Sequence, residues 1–199
     1  MSGLKGNAKQ RTIFNAKQIT IKAQKNIACS FPNQTKRLFL NEITSRLVDN
    51  IHQLIWHYTQ SKERADYIVK QFLKINIKLF IVAANGCLKK QQEEDMNECR
   101  EVVKEAALCF IRHVRGPANL QKMSNLTKIQ AAIKTAGALA QYVSEEHLTR
   151  KTVDKLTDVV SFFTTEEFLA AILSNQPPYS TLATEIAEDL QDSIDRGIL

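Results

Sequence analysis

The chain has 199 residues, a hydrophobic share of 44% and a formal net charge of +6. This length and composition fit one domain of ordinary size with an apolar core. With only 6 glycines and 4 prolines, and no run that alternates apolar and polar residues between turns, the sequence excludes a strand-rich fold and predicts an all-α one.

Charge is unevenly distributed along the chain. Residues 1–41 carry eight basic residues and no acidic one, whereas residues 166–199 carry seven acidic residues and one arginine. A basic front suits an anionic partner such as a membrane surface, a nucleic acid or an acidic protein. A solubilising tail explains the same pattern equally well.

The cysteines and the apolar stretches indicate where the protein works. Cys29, Cys87, Cys99 and Cys109 form no CxxC motif, so we interpret Cys99 and Cys109 as small buried hydrophobes in a reducing compartment. We find neither a signal-peptide core nor an apolar span of 18 residues. The expected localisation is cytoplasmic, with transient membrane association.

We expect a flexible basic tail over residues 1–10 and a single helical domain over residues 11–199. The domain begins with a basic amphipathic helix within residues 11–31, where Lys22 and Lys25 share one side with Arg11 and Gln18. Such a helix is a candidate for membrane-surface or partner binding. Alternatively, it packs on the body through its isoleucines and exposes its lysines to water.

The remaining helices follow in order, and we predict an antiparallel bundle of about six with a central hydrophobic cavity. Apolar periodicity and capping residues predict helices over residues 42–60, 62–86, 89–114, 124–147, from 150 onwards, 166–173 and 181–196. Ser61 is the expected N-cap of the second of these, and Asn85-Gly86 its stop. Thr149 and Thr165 are the expected N-caps of the helices that follow them. Met96, Cys99, Val103, Ala106 and Phe110 are expected on the buried face of the third.

The helix over residues 62–86 has two unlike sides. Lys70, Lys74 and Lys78 recur every four residues as a basic stripe. Apolar residues cover about twice the roughly 100° of an ordinary surface helix, so this helix must be covered on two sides, by protein or by a ligand. Asn76 interrupts the apolar side, and unpaired burial of its amide would cost about 1–3 kcal/mol; it needs a partner or a wet environment.

Catalytic and cofactor motifs are missing. The sequence has no phosphate-binding glycine loop, GxSxG or HExxH motif, and His52 and His57 are five residues apart rather than four. We therefore expect no enzyme activity, no metal and no cofactor beyond a bound ligand. The basic front lacks interleaved aromatic residues, so a specific nucleic-acid role ranks third among the functions considered.

Five stretches together resemble the tumour necrosis factor-alpha-induced protein 8 family, also called the TIPE family. They are FNAKQITIKAQKNI (residues 14–27), ITSRLVDNIHQLIWHYTQSK (43–62), IVKQFLKINIKLFIVAANG (68–86), HLTRK (147–151) and DLQDSIDRGIL (189–199). The resemblance implies helices around a lipid-accessible hydrophobic cavity, and a phosphoinositide-binding or lipid-transfer regulator of apoptosis and of immune or inflammatory signalling. Because the family fold has been likened to a death-effector domain, a protein-interaction adaptor without lipid transfer is the alternative.

The resemblance also implies which residues meet the lipid. The expected headgroup contacts are Lys22, Lys25, Lys70, Lys74, Lys78 and Arg100, and the expected cavity lining includes Phe72, Ile75, Leu79 and Val103. Asn26, Ala84 and Asn76 depart from the family pattern: two basic positions are lost and an amide is gained. Expected partners are anionic phospholipid, the membrane surface and signalling proteins.

Overall fold

The structure, a computed structural model, describes residues 42–116 and 121–199. This part of the chain folds into seven α-helices and contains no strand. They are α1 (Glu42–Thr59), α2 (Lys62–Ala84), α3 (Lys90–Arg115), α4 (Gln121–His147), α5 (Arg150–Phe163), α6 (Glu166–Ile172) and α7 (Tyr179–Asp195). The predicted all-α bundle is confirmed. The predicted tail and basic helix over residues 1–10 and 11–31 lie outside the described residues.

The bounds of α2 follow from its capping residues, as predicted. The Ser61 hydroxyl accepts a hydrogen bond from the backbone N–H of Arg64 at 3.2 Å, which satisfies one of the unpaired donors of the first turn. At the other end, Gly86 takes a positive φ of 63°, and its N–H bonds to the Ala83 carbonyl at 3.0 Å. Glycine adopts this left-handed conformation without steric cost.

Two other predicted caps occupy their expected positions but bond differently. Thr149 and Thr165 precede α5 and α6, yet neither side chain caps its helix. The Thr149 hydroxyl lies 3.0 Å from the hydroxyl of Thr152, and the Thr165 hydroxyl donates to the Ser161 carbonyl at 3.0 Å. Both threonines therefore stabilise the turn by local bonds other than the one predicted.

Six of the seven helices pack in a closed ring. Its order is α1, α2, α5, α4, α3, α7 and back to α1, while the short α6 contacts α1, α4, α5 and α7. Side chains inside such a ring face one another without a helix between them. Any gap between these side chains therefore lies inside the ring of helices.

The core has two parts, and α2 contributes to both. Ile68, Val69 and Leu73 belong to the larger cluster, shared with α1, α3, α4, α6 and α7. Ile75 and Leu79 belong to a smaller one with Val143 and Leu156. Buried and exposed residues alternate along α2 between residues 71 and 79, which in a helix means two buried sides separated by two exposed ones. The predicted two-sided cover is confirmed.

Candidate functional site

An apolar pocket of about 360 Å³ lies inside the ring, with walls from α1 to α5. Aliphatic and aromatic side chains form most of the wall, with Asn76 and Cys99 as its polar members. The lining residues are Val48, Ile51, Val69, Phe72, Ile75, Asn76, Leu79, Cys99, Val103, Ile133, Ala136, Gly137, Ala140, Leu156, Val159, Val160 and Phe163. This volume falls within the range of small-molecule sites, roughly 300–1,000 Å³.

All four residues predicted to line a cavity contact this pocket. Ile75 and Leu79 are buried, whereas Phe72 and Val103 are each 39% exposed. Within the described ranges, α2 and α3 are not packed as neighbours. The exposed fractions of Phe72 and Val103 indicate that the pocket is open to solvent beside these two residues. The prediction that Val103 lies on the buried face of α3 is wrong, because Val103 lines the pocket and remains exposed.

Asn76 lies at the same opening. It is exposed, and its side-chain Nδ2 donates to the Phe72 carbonyl at 2.8 Å. The sequence predicted that Asn76 needs either a hydrogen-bond partner or a wet environment. In the structure it has both. The amide thus avoids the cost of unpaired burial.

The three lysines of α2 lie on the side away from the pocket. Lys70 Nζ is 2.9 Å from Asp66 Oδ2, and Lys78 Nζ donates to Thr152 Oγ1 at 2.9 Å. Lys74, between them, is exposed and forms no ion pair within the described part of the chain. At 100° per residue, Lys74 lies about 160° from both Phe72 and Asn76 around the helix. None of the three lysines lines the pocket.

The other predicted headgroup contacts divide into two groups. Lys22 and Lys25 lie outside the described residues. Arg100 is exposed on α3, between the lining residues Cys99 and Val103. Ala84, the last residue of α2, is exposed. Arg100 is not among the residues that line the pocket, and neither are Lys70, Lys74 and Lys78.

Cys99 supplies the only thiol among the described lining residues. Its Sγ lies 3.5 Å from the Ala136 carbonyl, and burial raises the pKa of the thiol. A neutral thiol behaves as a small hydrophobe and is a poor nucleophile. Cys109 is buried as predicted, whereas Cys99 is only partly buried because it faces the pocket.

The wall of α4 was missed by the sequence analysis. Ala136, Gly137 and Ala140 line the pocket and leave space because they have little or no side chain. The run of alanines between residues 131 and 140 was the available signal, but alanine also favours helices for its own sake. Only the packing of α5 opposite these small residues shows that they form part of a pocket wall.

A polar cluster joins α1 to α2 beside the larger core. His52 is 3% exposed, and its Nε2 lies 2.9 Å from Asp66 Oδ1. Burial lowers the pKa of His52, although the Asp66 hydrogen bond opposes this shift. Burial alone would raise the pKa of Asp66, but hydrogen bonds from Lys70 and His52 outweigh it and lower that pKa.

A second pocket, of about 470 Å³, lies between α1 and α7 and is polar. Arg46 crosses it and bonds Asp189 Oδ1 through Nη2 at 2.6 Å and through Nε at 3.0 Å. Its lining residues are Arg46, Asp49, Asn50, Glu185, Glu188, Asp189 and Asp192.

Within residues 42–116 and 121–199, no group of histidines, cysteines and carboxylates could hold a metal ion.

His147, the first residue of the HLTRK motif, has a structural role where the end of α4 meets the start of α3. His147 Nε2 lies 3.0 Å from Gln92 Oε1, and Gln92 Nε2 donates to Glu146 at 3.1 Å. Glu146 also pairs with Lys89 at 2.8 Å. These bonds connect the end of α4 to the start of α3.

Among the described helices, none is both long enough and apolar enough to cross a bilayer.

Comparison with known proteins agrees with this architecture. In sequence, the chain is 24% identical to chicken tumor necrosis factor alpha-induced protein 8 over 186 residues, which covers 93% of this chain and 97% of that one. It is 22% identical to protein salivary glands marred of Drosophila melanogaster, with the same coverage. It is also 22% identical to mouse tumor necrosis factor alpha-induced protein 8-like protein 2, with coverage of 94% and 98%.

Among solved structures, the C-terminal region of G-protein interacting protein 1 from Dictyostelium discoideum superposes with a TM-score of 0.69. The match covers 84% of this chain and 100% of that one, at 13% identity, so it supports the fold alone. A family profile, described as tumor necrosis factor alpha-induced protein 8-like, matches residues 14–197. Because this match spans nearly the whole chain, the protein belongs to the tumor necrosis factor alpha-induced protein 8-like family.

Proposed function

We propose that the protein binds phospholipid, with an acyl chain in the apolar pocket and the headgroup on basic side chains. The observation that carries this proposal is the pocket of about 360 Å³, which is lined mainly by apolar residues from five helices and leaves Phe72 and Val103 exposed. Each methylene group that leaves water for such a site contributes about 0.8 kcal/mol. A partly inserted chain therefore already provides useful affinity.

Membership of this family implies a role in apoptosis and immune signalling, and its members are not known enzymes. We place phospholipid binding or transfer, with phosphoinositides as the preferred headgroups, at the centre of that role. The protein would act at the cytoplasmic membrane surface and return to solution with or without its lipid. Signalling proteins would then respond to the loaded and empty forms.

The positions of the basic residues suggest a division of roles among them. Neither Lys74 nor Lys78 lines the pocket, and Lys74 lies about 160° from both Phe72 and Asn76 around α2. In the proposal Lys74 and Lys78 contact headgroups of the surrounding membrane, together with Lys22 and Lys25, while Arg100 meets the seated lipid. Exposed lysines near an anionic membrane contribute about 1 kcal/mol each.

The pocket is tested by closing its opening. Because Val103 is 39% exposed, a Val103→Trp variant can place its ring across the opening without overpacking the core. We expect native mass spectrometry to detect phospholipid on the wild-type protein and to lose it in this variant. The matched control is Asn97→Trp, which adds the same ring to an exposed position of α3 outside the pocket.

The membrane surface is tested separately by vesicle sedimentation. Lys74→Gln should weaken binding to phosphoinositide vesicles about fivefold, from the loss of about 1 kcal/mol, while Lys128→Gln on exposed α4 surface serves as control. Wild-type protein that emerges lipid-free and ignores these vesicles would overturn the proposal.

One observation favours the alternative of a protein-interaction adaptor. Lys70 is engaged by Asp66 at 2.9 Å, which is how a solvated helix surface without a lipid role commonly arranges its charges. The adaptor hypothesis expects signalling partners to bind Val103→Trp and wild-type protein equally well. The lipid hypothesis expects binding to depend on whether the pocket is loaded.

A further inference from the structure

The polar pocket between α1 and α7 carries far more negative than positive charge. One guanidinium and five carboxylates line it, from Arg46, Asp49, Glu185, Glu188, Asp189 and Asp192. On α7 the carboxylates recur at intervals of three and four residues, where like charges repel one another. The 17 residues of α7 include no lysine, arginine or histidine that could offset this repulsion. A cationic partner at the pocket would therefore stabilise α7.

Part of this negative charge is not neutralised within the described helices. Arg46 donates both of its hydrogen bonds to Oδ1 of Asp189, and it approaches Asp192 only to 3.9 Å. Asp189 is 4% exposed, and its Oδ2 keeps the capacity to accept a hydrogen bond. Glu185 and Glu188 are exposed and form no ion pair with the described part of the chain. The pocket thus binds one guanidinium and has acceptors left for further cations.

The chain itself supplies a basic segment next to this pocket. Residues 1–41, which precede α1 and lie outside the described residues, carry eight basic residues and no acidic one. The last two are Lys36 and Arg37, six and five positions before Glu42, where α1 begins. A chain spans at most about 3.5 Å per residue, so the segment reaches up to about 20 Å from Glu42.

The pocket lies within this reach. Arg46 and Asn50 line it on α1, and at 1.5 Å per residue they lie about 6 Å and 12 Å along the helix from Glu42. A segment that folds back along α1 therefore reaches the pocket. A tether this short also keeps the effective concentration of the segment in the millimolar range, so that individually weak charge contacts are sufficient for docking.

From this arrangement we infer that residues 32–41 fold back onto the groove between α1 and α7 and place the cationic ends of Lys36 and Arg37 in the acidic pocket. Lysine and arginine only donate hydrogen bonds, whereas carboxylates only accept them. Bonds between such charged groups are stronger than those between neutral ones. The contact lies within the chain and does not depend on lipid binding. It gives Lys36 and Arg37 an anchoring role, separate from the headgroup contacts proposed above.

Trypsin tests this contact directly, because it cleaves after lysine and arginine. We expect slow cleavage of the full chain after Lys36 and Arg37, followed by mass spectrometry of timed samples. Glu185→Gln combined with Glu188→Gln should accelerate this cleavage about fivefold, as expected for the loss of two exposed charge contacts.

The matched control removes the same charge elsewhere. Glu98→Gln combined with Glu101→Gln neutralises two exposed carboxylates at the same spacing on α3, outside the pocket, and should leave the cleavage rate unchanged. Equal rates in wild-type protein and in both double variants would overturn the inference.

A charge exchange distinguishes direct contact from a general loss of stability. Lys36→Glu with Arg37→Glu, and separately Glu185→Lys with Glu188→Lys, should each increase hydrogen–deuterium exchange of residues 32–41, measured by mass spectrometry. All four substitutions together should restore the protection, and failure to do so would overturn the direct contact. Protection that rises with protein concentration would place the segment of a second copy in the pocket and overturn the contact within one chain.

Discussion

Gly137 on α4 and Val160 on α5 lie so close together that a β-carbon at position 137 would clash with the Val160 side chain. A β-carbon on Gly137 would be 2.6 Å from Val160 Cγ1 and 2.8 Å from Val160 Cγ2. Both residues line the apolar pocket. Because valine is branched at its β-carbon, rotation about χ1 replaces one of these methyl groups by the other and does not relieve the clash.

We expect Gly137→Ala to destabilise the protein despite the better helix propensity of alanine. Overpacking costs about 1–3 kcal/mol, whereas the propensity gain is about 1 kcal/mol. Urea unfolding of wild type, Gly137→Ala, Val160→Ala and the double variant gives the coupling between the two sites. In the Val160→Ala background the glycine substitution should become neutral or stabilising. Equal effects in both backgrounds would show that the close approach is absent in solution.

The ion pair between Arg46 and Asp189 should contribute measurably to stability. The Asp189 side chain is 5% exposed while Arg46 is 50% exposed, so Arg46→Met leaves a nearly buried carboxylate without its partner. We expect a loss of about 2 kcal/mol in the free energy of unfolding, below the 3–5 kcal/mol of a fully buried pair because water reaches the site. Arg150→Met, which removes an exposed arginine, should cost less than about 0.5 kcal/mol. Indistinguishable losses in the two variants would contradict the structure.

Gln92 should be the most sensitive residue at the joint between α3 and α4. It is 1% exposed, and its Oε1 accepts from the Lys89 backbone N–H and from His147, each at 3.0 Å. Gln92→Leu keeps the approximate volume but leaves these donors unpaired, which costs about 1–3 kcal/mol for each buried group. Gln91→Leu, one residue away on the exposed surface, is the control. In thermal unfolding, the Tm of Gln92→Leu should be clearly lower than that of Gln91→Leu.

Stability should fall as the pH is lowered below about 6.5, the ordinary pKa of histidine. Burial lowers the pKa of His52 in the folded protein, so the unfolded chain takes up a proton first and is favoured. The pKa of Asp66 is also lowered in the folded protein. The contribution of Asp66 to the free energy of unfolding is lost only below about pH 4, near the ordinary pKa of aspartate. The groups that act on His52 are Asp66, Asp49 and Lys62.

Unfolding free energies measured between pH 5 and pH 8 check this dependence. His52→Gln should flatten the slope of unfolding free energy against pH below about pH 6.5. The control His57→Gln, on the same helix, should keep a steeper slope than His52→Gln. A His52→Gln protein with an unchanged slope would exclude His52 as the source. These measurements concern stability alone and do not depend on the lipid proposal.

Local features of the sequence were sufficient to predict the helices. The apolar period, Ser61 and Asn85-Gly86 defined α2, because capping and periodicity depend on neighbours within a few residues. The excess of apolar surface on this helix correctly required two covered sides. Phe72, Ile75 and Leu79 were expected as cavity lining from the family resemblance, and all three contact the pocket.

Relations between distant segments could not be predicted in this way. Arg46 and Asp189 are 143 positions apart, and nothing in either helix identifies its partner. Val103 has the periodicity of a buried residue, but it is exposed because it lines the pocket. Lys70, Lys74 and Lys78 form one stripe in the sequence, and only the ring of helices shows that this stripe faces away from the pocket.

The sequence by itself thus determined an all-α chain with a helix that needs cover on two sides, since both follow from the period of hydrophobic residues along one segment. Only the tertiary structure decided that this cover is incomplete at Phe72, where an apolar pocket remains open to solvent. The physical reason is that a pocket is a property of the space between helices, which no single segment of the sequence determines.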